Sequence, residues 1–370
     1  MSHEYLGRHG TLARRPRRSE PTRGPRRVLI AAGLGVALVV VAVAVVLVER
    51  HATGPQPAAI LTDPGFSVGG VSSVAFSPDG QMLVTADADG SSFAWDVATL
   101  HRVATLTDPG SQGVNALAFS PNGDMLAAAD ADNSVYLWDI TTARPVATLA
   151  DPTSGVSGSG VESVAFSPDG QTLAAGDGDD GTTHLWNVTD ERRTASLTDP
   201  SSTGFQGIFS LAFSPDGQML AAADGDGTTY LWSVTTGHEI NKLADPGANG
   251  VYAVAFSPQG QTLATGDGAG RVYLWNAATG QLIATLTAPG GRQVGSLAFS
   301  PGGQTLAVGD HDGSVYLWSL AGPQAAPGPL PSTTLSDPDS KAVDSVAFSP
   351  SGDTLAAGCG DGHTYLWPVG

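Results

Sequence analysis

Short runs in which hydrophobic and polar positions alternate with period two recur seven times between residue 71 and the C-terminus. Each unit opens on Val/Ile-x-x-Val/Leu-Ala-Phe. Alternation there sets Val74 and Phe76 on one face of a strand and the small Ala75 on the other, where a neighbouring sheet can approach. The phenylalanines are Phe76, Phe119, Phe166, Phe213, Phe256, Phe299 and Phe348. About nineteen residues after each comes a Trp ending a second apolar run: Trp95, Trp138, Trp186, Trp232, Trp275, Trp318 and Trp367. Phe-to-Phe spacings of 43, 47, 47, 43, 43 and 49 suit one four-stranded unit per repeat and lie far from the periods of helical pairs.

The turn chemistry separates four strands, a to d, in each unit. Ser-Pro-x-Gly joins a to b, with Pro presetting φ at the first corner and an invariant Gly accepting φ > 0. A Leu-Ala-Ala-like strand b, an acidic Asp-x-Asp-Gly turn, a Tyr-Leu-Trp strand c and an Ala-Thr-Leu strand d follow. The Leu-x-Asp-Pro ending of strand d occurs at Leu61, Leu106, Leu149, Leu197, Leu243 and Leu335, with Leu286-Thr287-Ala288-Pro289 as the variant. The first of these precedes the first Phe, and the chain stops just after the last Trp. The seventh unit therefore lacks its own outer strand, and residues 58–62 are expected to supply it beside the strand at 364–369, removing an open edge. The fold expected is an all-β, seven-bladed β-propeller closed by an N-terminal outer strand and preceded by one transmembrane helix.

The run from Phe-Ser-Pro-Asp-Gly to Leu-Trp-Asp resembles the WD-repeat β-propeller family, and the resemblance covers residues 58–370. It implies a non-enzymatic platform that binds protein over its loop faces. The departures matter. Only Trp95 and Trp138 are followed by Asp, no unit has the family's Gly-His before strand a, and the strand-b Ser is mostly Ala, as at Ala128, Ala175, Ala222 and Ala357. The family's Trp-Ser-His-Asp network cannot form with these residues. The turn aspartate six residues before each Trp persists except at Ala269, so Asp-Pro and Asp-x-Asp-Gly turns are expected to satisfy loop amides by Asx-type bonds.

The N-terminus is a different material. Residues 1–27 hold eight arginines against two glutamates and read as a cytoplasmic, disordered Arg/Pro-rich segment. Residues 28–48 are 21 uncharged apolar residues, which as a helix span about 31 Å, enough for a hydrocarbon core. This run is longer than a signal-peptide core and no clear Ala-x-Ala site follows it. A linker, 49–57, reaching at most about 30 Å, would tether the propeller outside the cell membrane, a single-pass arrangement with the N-terminus cytoplasmic.

Beyond residue 27 stand 9 basic and 33 acidic residues. By loop assignment, the face carrying the d–a and b–c loops holds 22 acids and 3 bases, and the opposite face 10 acids and 5 bases. An acidic plate of this kind repels phosphates and argues against nucleic acid. The less acidic face, with Arg102, Arg144, Arg192 and Arg193, is expected to look at the membrane.

Chemistry is sparse. The eight histidines sit in unlike positions with no pair at ligand spacing. Gly176-Asp177-Gly178-Asp179-Asp180-Gly181 satisfies Gly-x-Gly-x-x-Gly in letters, but three carboxylates in a strand-to-strand turn would repel a pyrophosphate. Cys359, the one cysteine, takes a slot that is Asp in the other six units, and Asn187-Val188-Thr189 is a glycosylation sequon. The Asp-x-Asp-Gly carboxylates read as turn-stabilising, with weak Ca²⁺ binding to the plate as a further use; no cofactor is expected. The candidate partner-binding residues are those four before each strand-a Phe, which differ while the scaffold repeats: Ser72, Asn115, Glu162, Phe209, Tyr252, Gly295 and Asp344. Phe66 and Phe205, in longer d–a loops, join them as aromatic candidates for a protein partner.

Overall fold

The computed structural model describes residues 55–63, 70–108, 110–150, 160–198, 207–247, 250–320, 330–337 and 339–370. The expected cytoplasmic segment, the transmembrane helix and most of the linker lie outside these residues, as do Phe66 and Phe205. Among the described residues no helix is long and apolar enough to cross a membrane.

The described chain is all-β: seven four-stranded antiparallel sheets, the blades of a propeller. Six blades take their strands in chain order, from Val71–Phe76, Met82–Asp87, Ser91–Asp96 and Arg102–Thr107 in blade 1 to Val294–Phe299 through Thr333–Ser336 in blade 6. Blade 7 contains Val343–Phe348, Thr354–Cys359 and His363–Pro368, and its fourth strand is Ala59–Thr62. That strand runs antiparallel to strand c from Ala59 opposite Leu366 to Thr62 opposite His363. Each strand a packs against the strands a of its two neighbours, those of blades 1 and 7 included.

Small residues explain why sheets approach so closely. Strand b is Leu-Ala-Ala at its centre in four blades, Leu-Val-Thr, Leu-Ala-Thr and Leu-Ala-Val in blades 1, 5 and 6, and is buried on both faces, as in Leu126 to Ala129. The apolar clusters are consequently shared between blades. Leu61, Ala356 and Leu366 of blade 7 pack with Val71, Val74, Leu83, Phe93 and Trp95 of blade 1, and Phe76 leans on the same cluster. Ala75, on the other face of that strand, packs toward blade 2.

Every strand a carries a register shift between its first and third residues, as between Val71 and Ser73. Such a bulge frees backbone amides from the ladder. In five blades the amide of the fourth residue is met by a serine hydroxyl from the third position of the preceding blade. Leu117 N donates to Ser73 Oγ (3.0 Å), Leu211 N to Ser163 Oγ (2.9 Å), Val254 N to Ser210 Oγ (3.2 Å) and Val346 N to Ser296 Oγ (3.1 Å). Val74 N donates to Ser345 Oγ (3.0 Å), which links blade 7 to blade 1. Ala116 and Ala253 occupy the two remaining third positions.

The a–b turns behave as their residues dictate. The turn glycine has φ between 70° and 80° in all seven, and Gly80 N donates to Ser77 O at 2.8 Å. At Gly123 an added Cβ would lie 3.4 Å from Pro78 of the preceding blade, an ordinary contact, so the positive φ and not lack of space calls for glycine there.

Deleting residues 58–64 removes Leu61 from a shared core and exposes an edge of strand c. It is expected to cost about 4 kcal/mol or more and broaden thermal unfolding, whereas deleting 55–57 leaves the transition nearly unchanged. Ser73→Ala leaves the Leu117 amide unpaired and is expected to cost about 1–2 kcal/mol by denaturant titration.

Candidate functional site

The second residues of the seven strands a are half-buried where strand a begins, on the d–a/b–c side of the ring. They divide into two groups. Ser72 Oγ donates to Val114 O (2.5 Å) and Ala86 O (3.1 Å), and Asn115 Nδ2 donates to Val161 O (3.1 Å). These two side chains stitch each blade to the next. Glu162, Phe209 and Tyr252 form a consecutive group over blades 3 to 5. The rings of Phe209 and Tyr252 lie 5.0 Å apart at 31°, a tilted aromatic contact between blades. Burial, with Asp179 and Asp177 nearby, pushes the Glu162 carboxyl up to about 7.

Asp344 and Gly295 bring in a residue that spacing did not single out. His311, in the b–c turn of blade 6, places Nε2 3.2 Å from Asp344 Oδ1 of blade 7. A Cβ on Gly295 would meet that ring at 2.9 Å, so the missing side chain makes room for the pair. The only signal for this in the sequence is a Gly at a ring position one blade away from an Asp.

Beneath the ring lies a tier of buried aspartates. The last residue of strand b is Asp87, Asp130, Asp177, Asp224, Asp267 or Asp310, each at most 3% exposed, and Cys359 in blade 7. In five of the six, Asp87 being the exception, an oxygen caps the b–c turn as an Asx acceptor. Asp130 Oδ1 accepts from Asp132 N (2.8 Å) and Gln112 N (3.1 Å), Asp177 Oδ1 from Asp179 N (2.7 Å), and Asp310 Oδ1 from Asp312 N (2.8 Å). The second aspartate of the turn accepts from the strand-c tyrosine. Tyr136 OH reaches Asp132 Oδ2 at 2.5 Å, Tyr316 OH reaches Asp312 Oδ2 at 2.6 Å and Tyr365 OH reaches Asp361 Oδ2 at 2.7 Å. Where that aspartate is Ala269, Tyr273 OH turns instead to Pro246 O at 2.8 Å.

The indole N–H groups find acceptors the family pattern does not use. The Asp of the preceding Leu-x-Asp-Pro ending serves, directly or through a strand-b threonine. Trp138 Nε1 donates to Asp108 Oδ1 (2.7 Å). Trp95 and Trp275 donate to Thr85 and Thr265 Oγ1 (3.1 and 3.0 Å), whose hydroxyls donate to Asp63 and Asp245. Trp318 and Trp367 Nε1 have no partner; Ala288 stands in the aspartate's place before Trp318, whereas Asp337 is present before Trp367.

None of the tier has an assembled metal or nucleophilic site on it. Among the described residues no group of three His, Cys, Asp or Glu side chains is placed to hold a metal ion. Cys359 is buried, and its surroundings raise the thiol well above its ordinary value. Gly176 to Gly181 closes a b–c turn around the Asp177 carboxylate, with no helix to receive a phosphate.

Burial raises the carboxyls of the tier. Asp108 and Asp245 are pushed up to about 7, and Asp177 and Asp310 to about 6. Asp63 and Asp87 neighbour each other; burial holds both above the ordinary range, and the Asp63 charge and hydrogen bond raise Asp87 further while the contact with Asp87 offsets part of the rise at Asp63. A carboxyl that binds its proton more tightly folded than unfolded stabilises the fold at low pH and loses that contribution as pH rises through its folded value. The turn carboxylates Asp79, Asp169 and Asp216 are shifted the other way by Ser hydroxyls and turn amides, which adds stability that is present above pH 3.8 and lost as pH falls below it, so they do not alter the slope between pH 5 and pH 8. Melting temperature is therefore expected to fall by roughly 5–10 °C between pH 5 and pH 8, and Asp108→Asn with Asp245→Asn to flatten that slope.

Comparison with known proteins agrees with this geometry. Residues 70–368 match the family model described as IFT122 first beta-propeller. A chain from "Crystal Structure of Mitotic Checkpoint Complex" superimposes with a TM-score of 0.73 at 22% identity, over 86% of this chain and 94% of that one. Solved chains that match number 1925, so likeness at this level marks a widely used fold and not one activity. No curated protein matches. The shared repeat, the seven four-stranded sheets and the match over residues 70–368 place the chain in the IFT122 first beta-propeller family of WD-repeat β-propellers.

Proposed function

We propose that this protein is a non-enzymatic, membrane-tethered interaction scaffold that holds its propeller outside the cytoplasm and binds a protein partner over its d–a/b–c face. The observation that carries the reading is the run of unlike residues Glu162, Phe209 and Tyr252 on a ring whose scaffold positions repeat. WD-repeat relatives generally act as platforms for other proteins, and the checkpoint-complex relative is itself a chain of a multi-component assembly. Aromatic side chains at the centre of a rigid face are the usual anchors of such contacts. The 21-residue apolar run at 28–48, with the arginines before it, supports the anchor and its orientation. The excess of carboxylates on the loops of the binding face would turn an acidic surface outward, suited to a basic partner.

A cation-dependent sensor or adhesion module is the second reading, favoured by the same carboxylates. The tier oxygens already accept turn amides and tyrosine hydroxyls, which leaves them poorly arranged for Ca²⁺.

Protease treatment of intact cells carrying tags at both ends tests the topology. The C-terminal tag is expected to be digested once the outer envelope is opened, while the N-terminal tag survives; protection of the C-terminal tag behind a sealed membrane would place the propeller in the cytoplasm. Crosslinked partners of the wild-type chain should be lost from a Phe209→Ala/Tyr252→Ala variant that melts normally. Retention of every partner would move the interface elsewhere on the propeller.

A further inference from the structure

A second site lies on the opposite face, in the cleft between blades 1 and 2. The seven repeats act as controls for one another there. Strand c places a buried leucine two residues after its second position in six blades, at Leu137, Leu185, Leu231, Leu274, Leu317 and Leu366; blade 1 has Ala94. Across the strand pair, Ala94 faces Val84, whereas the other six blades set alanine opposite the leucine, as with Ala264 and Leu274. Bulk has moved from strand c to strand b, and the outer end of the inter-blade space opens. The cleft beside Ala94 measures about 750 Å³, against about 490 Å³ between blades 4 and 5, about 340 Å³ between blades 3 and 4 and about 220 Å³ beside Leu274 between blades 5 and 6.

The lining has two parts. Met82, Ala94, Val103 and Ile140 make an apolar floor, and Val103 is 56% exposed despite its size. Asp79, Asp96 and Asp124 stand around the cleft with no basic side chain among the lining residues. Hydrogen bonds from Ser77 and Gln81 to Asp79, and from Thr99 to Asp96, hold those two carboxyls below their usual value, so they are charged at neutral pH. Arg102 lies 5.5 Å over the Phe93 ring, while His101 neighbours Asp96 and Arg144 follows the lining residue Ala143. A volume in the range of small-molecule sites, an apolar floor and an anionic rim together define a complementary ligand.

We propose that this cleft binds a small free ligand with an apolar body and a cationic end, an arylalkyl- or alkylammonium. The body would rest on Met82, Val103 and Ile140, and the cation would meet Asp96 and its neighbours at the rim. Ala94 is the determinant, because a leucine there restores the arrangement at Leu274, which lines a cleft of only about 220 Å³. The site is separate from the ring of strand-a residues on the other face and does not depend on the role proposed for them.

Calorimetric titration of 2-phenylethylammonium into the full-length protein tests it, with 3-phenylpropionate as the anion of like body. The paired substitution Val84→Ala/Ala94→Leu restores the arrangement of the other six blades, so its fold is kept while the cleft is filled. Saturable binding of the amine is expected, weakened about tenfold or more by the paired substitution and about threefold by Asp96→Asn, whose amide oxygen still caps the turn. The anion is expected not to bind. Equal binding to the refilled variant, equal binding of the anion, or no saturation with millimolar amine would each overturn the proposal.

Discussion

No blade in this molecule owns a core. Each apolar cluster is shared by two adjacent sheets, with strand b made mostly of small residues after its leucine so that a neighbour's strand a can close upon it. A four-stranded sheet of this size has too little apolar area to hold itself together in isolation, so every sheet depends on both of its neighbours. The serine hydroxyls that reach from one strand a to the bulged amide of the next belong to the same constraint. They supply hydrogen bonds where close approach has disrupted the ladder, and Ser345 to Val74 carries the pattern from the seventh blade to the first.

That dependence explains the unusual use of aspartate. Without a strand-b serine, the indole N–H of strand c is met by the aspartate that ends the preceding strand d, as at Trp138, or by a strand-b threonine that itself donates to that aspartate, as at Trp95 and Trp275. Aspartates at the ends of strand b cap turns that would otherwise bury unpaired amides. A chain so rich in carboxylates thus spends many of them below the surface, as hydrogen-bond acceptors with raised proton affinity. The exposed carboxylates, by contrast, remain free to set the charge of the loop faces.

The ring position shows where repetition stops being structural. Ser72 and Asn115 vary in identity but each makes a blade-to-blade hydrogen bond, so their variation is compatible with scaffold work. Glu162, Phe209 and Tyr252 offer instead a carboxyl with a raised proton affinity and a pair of rings at one side of the channel. His311 entered this region through a contact with Asp344, because Gly295 left the space between them.

Period-two alternation, the Ser-Pro-x-Gly turns and the repeat spacing were enough to determine the strand content, the four-strand pattern and the seven sheets, because these are local or strictly periodic properties of the chain. The offset between strand-d endings and strand-a phenylalanines located residues 58–62 beside the last strand, since a four-strand count admits few other pairings. The indole acceptors, the inter-blade serine bonds, the His311–Asp344 pair and the cleft beside Ala94 were decided by tertiary structure alone. Each joins side chains of different blades, tens of residues apart, whose meeting depends on how closely two sheets pack, and a pattern within one repeat carries no measure of that distance.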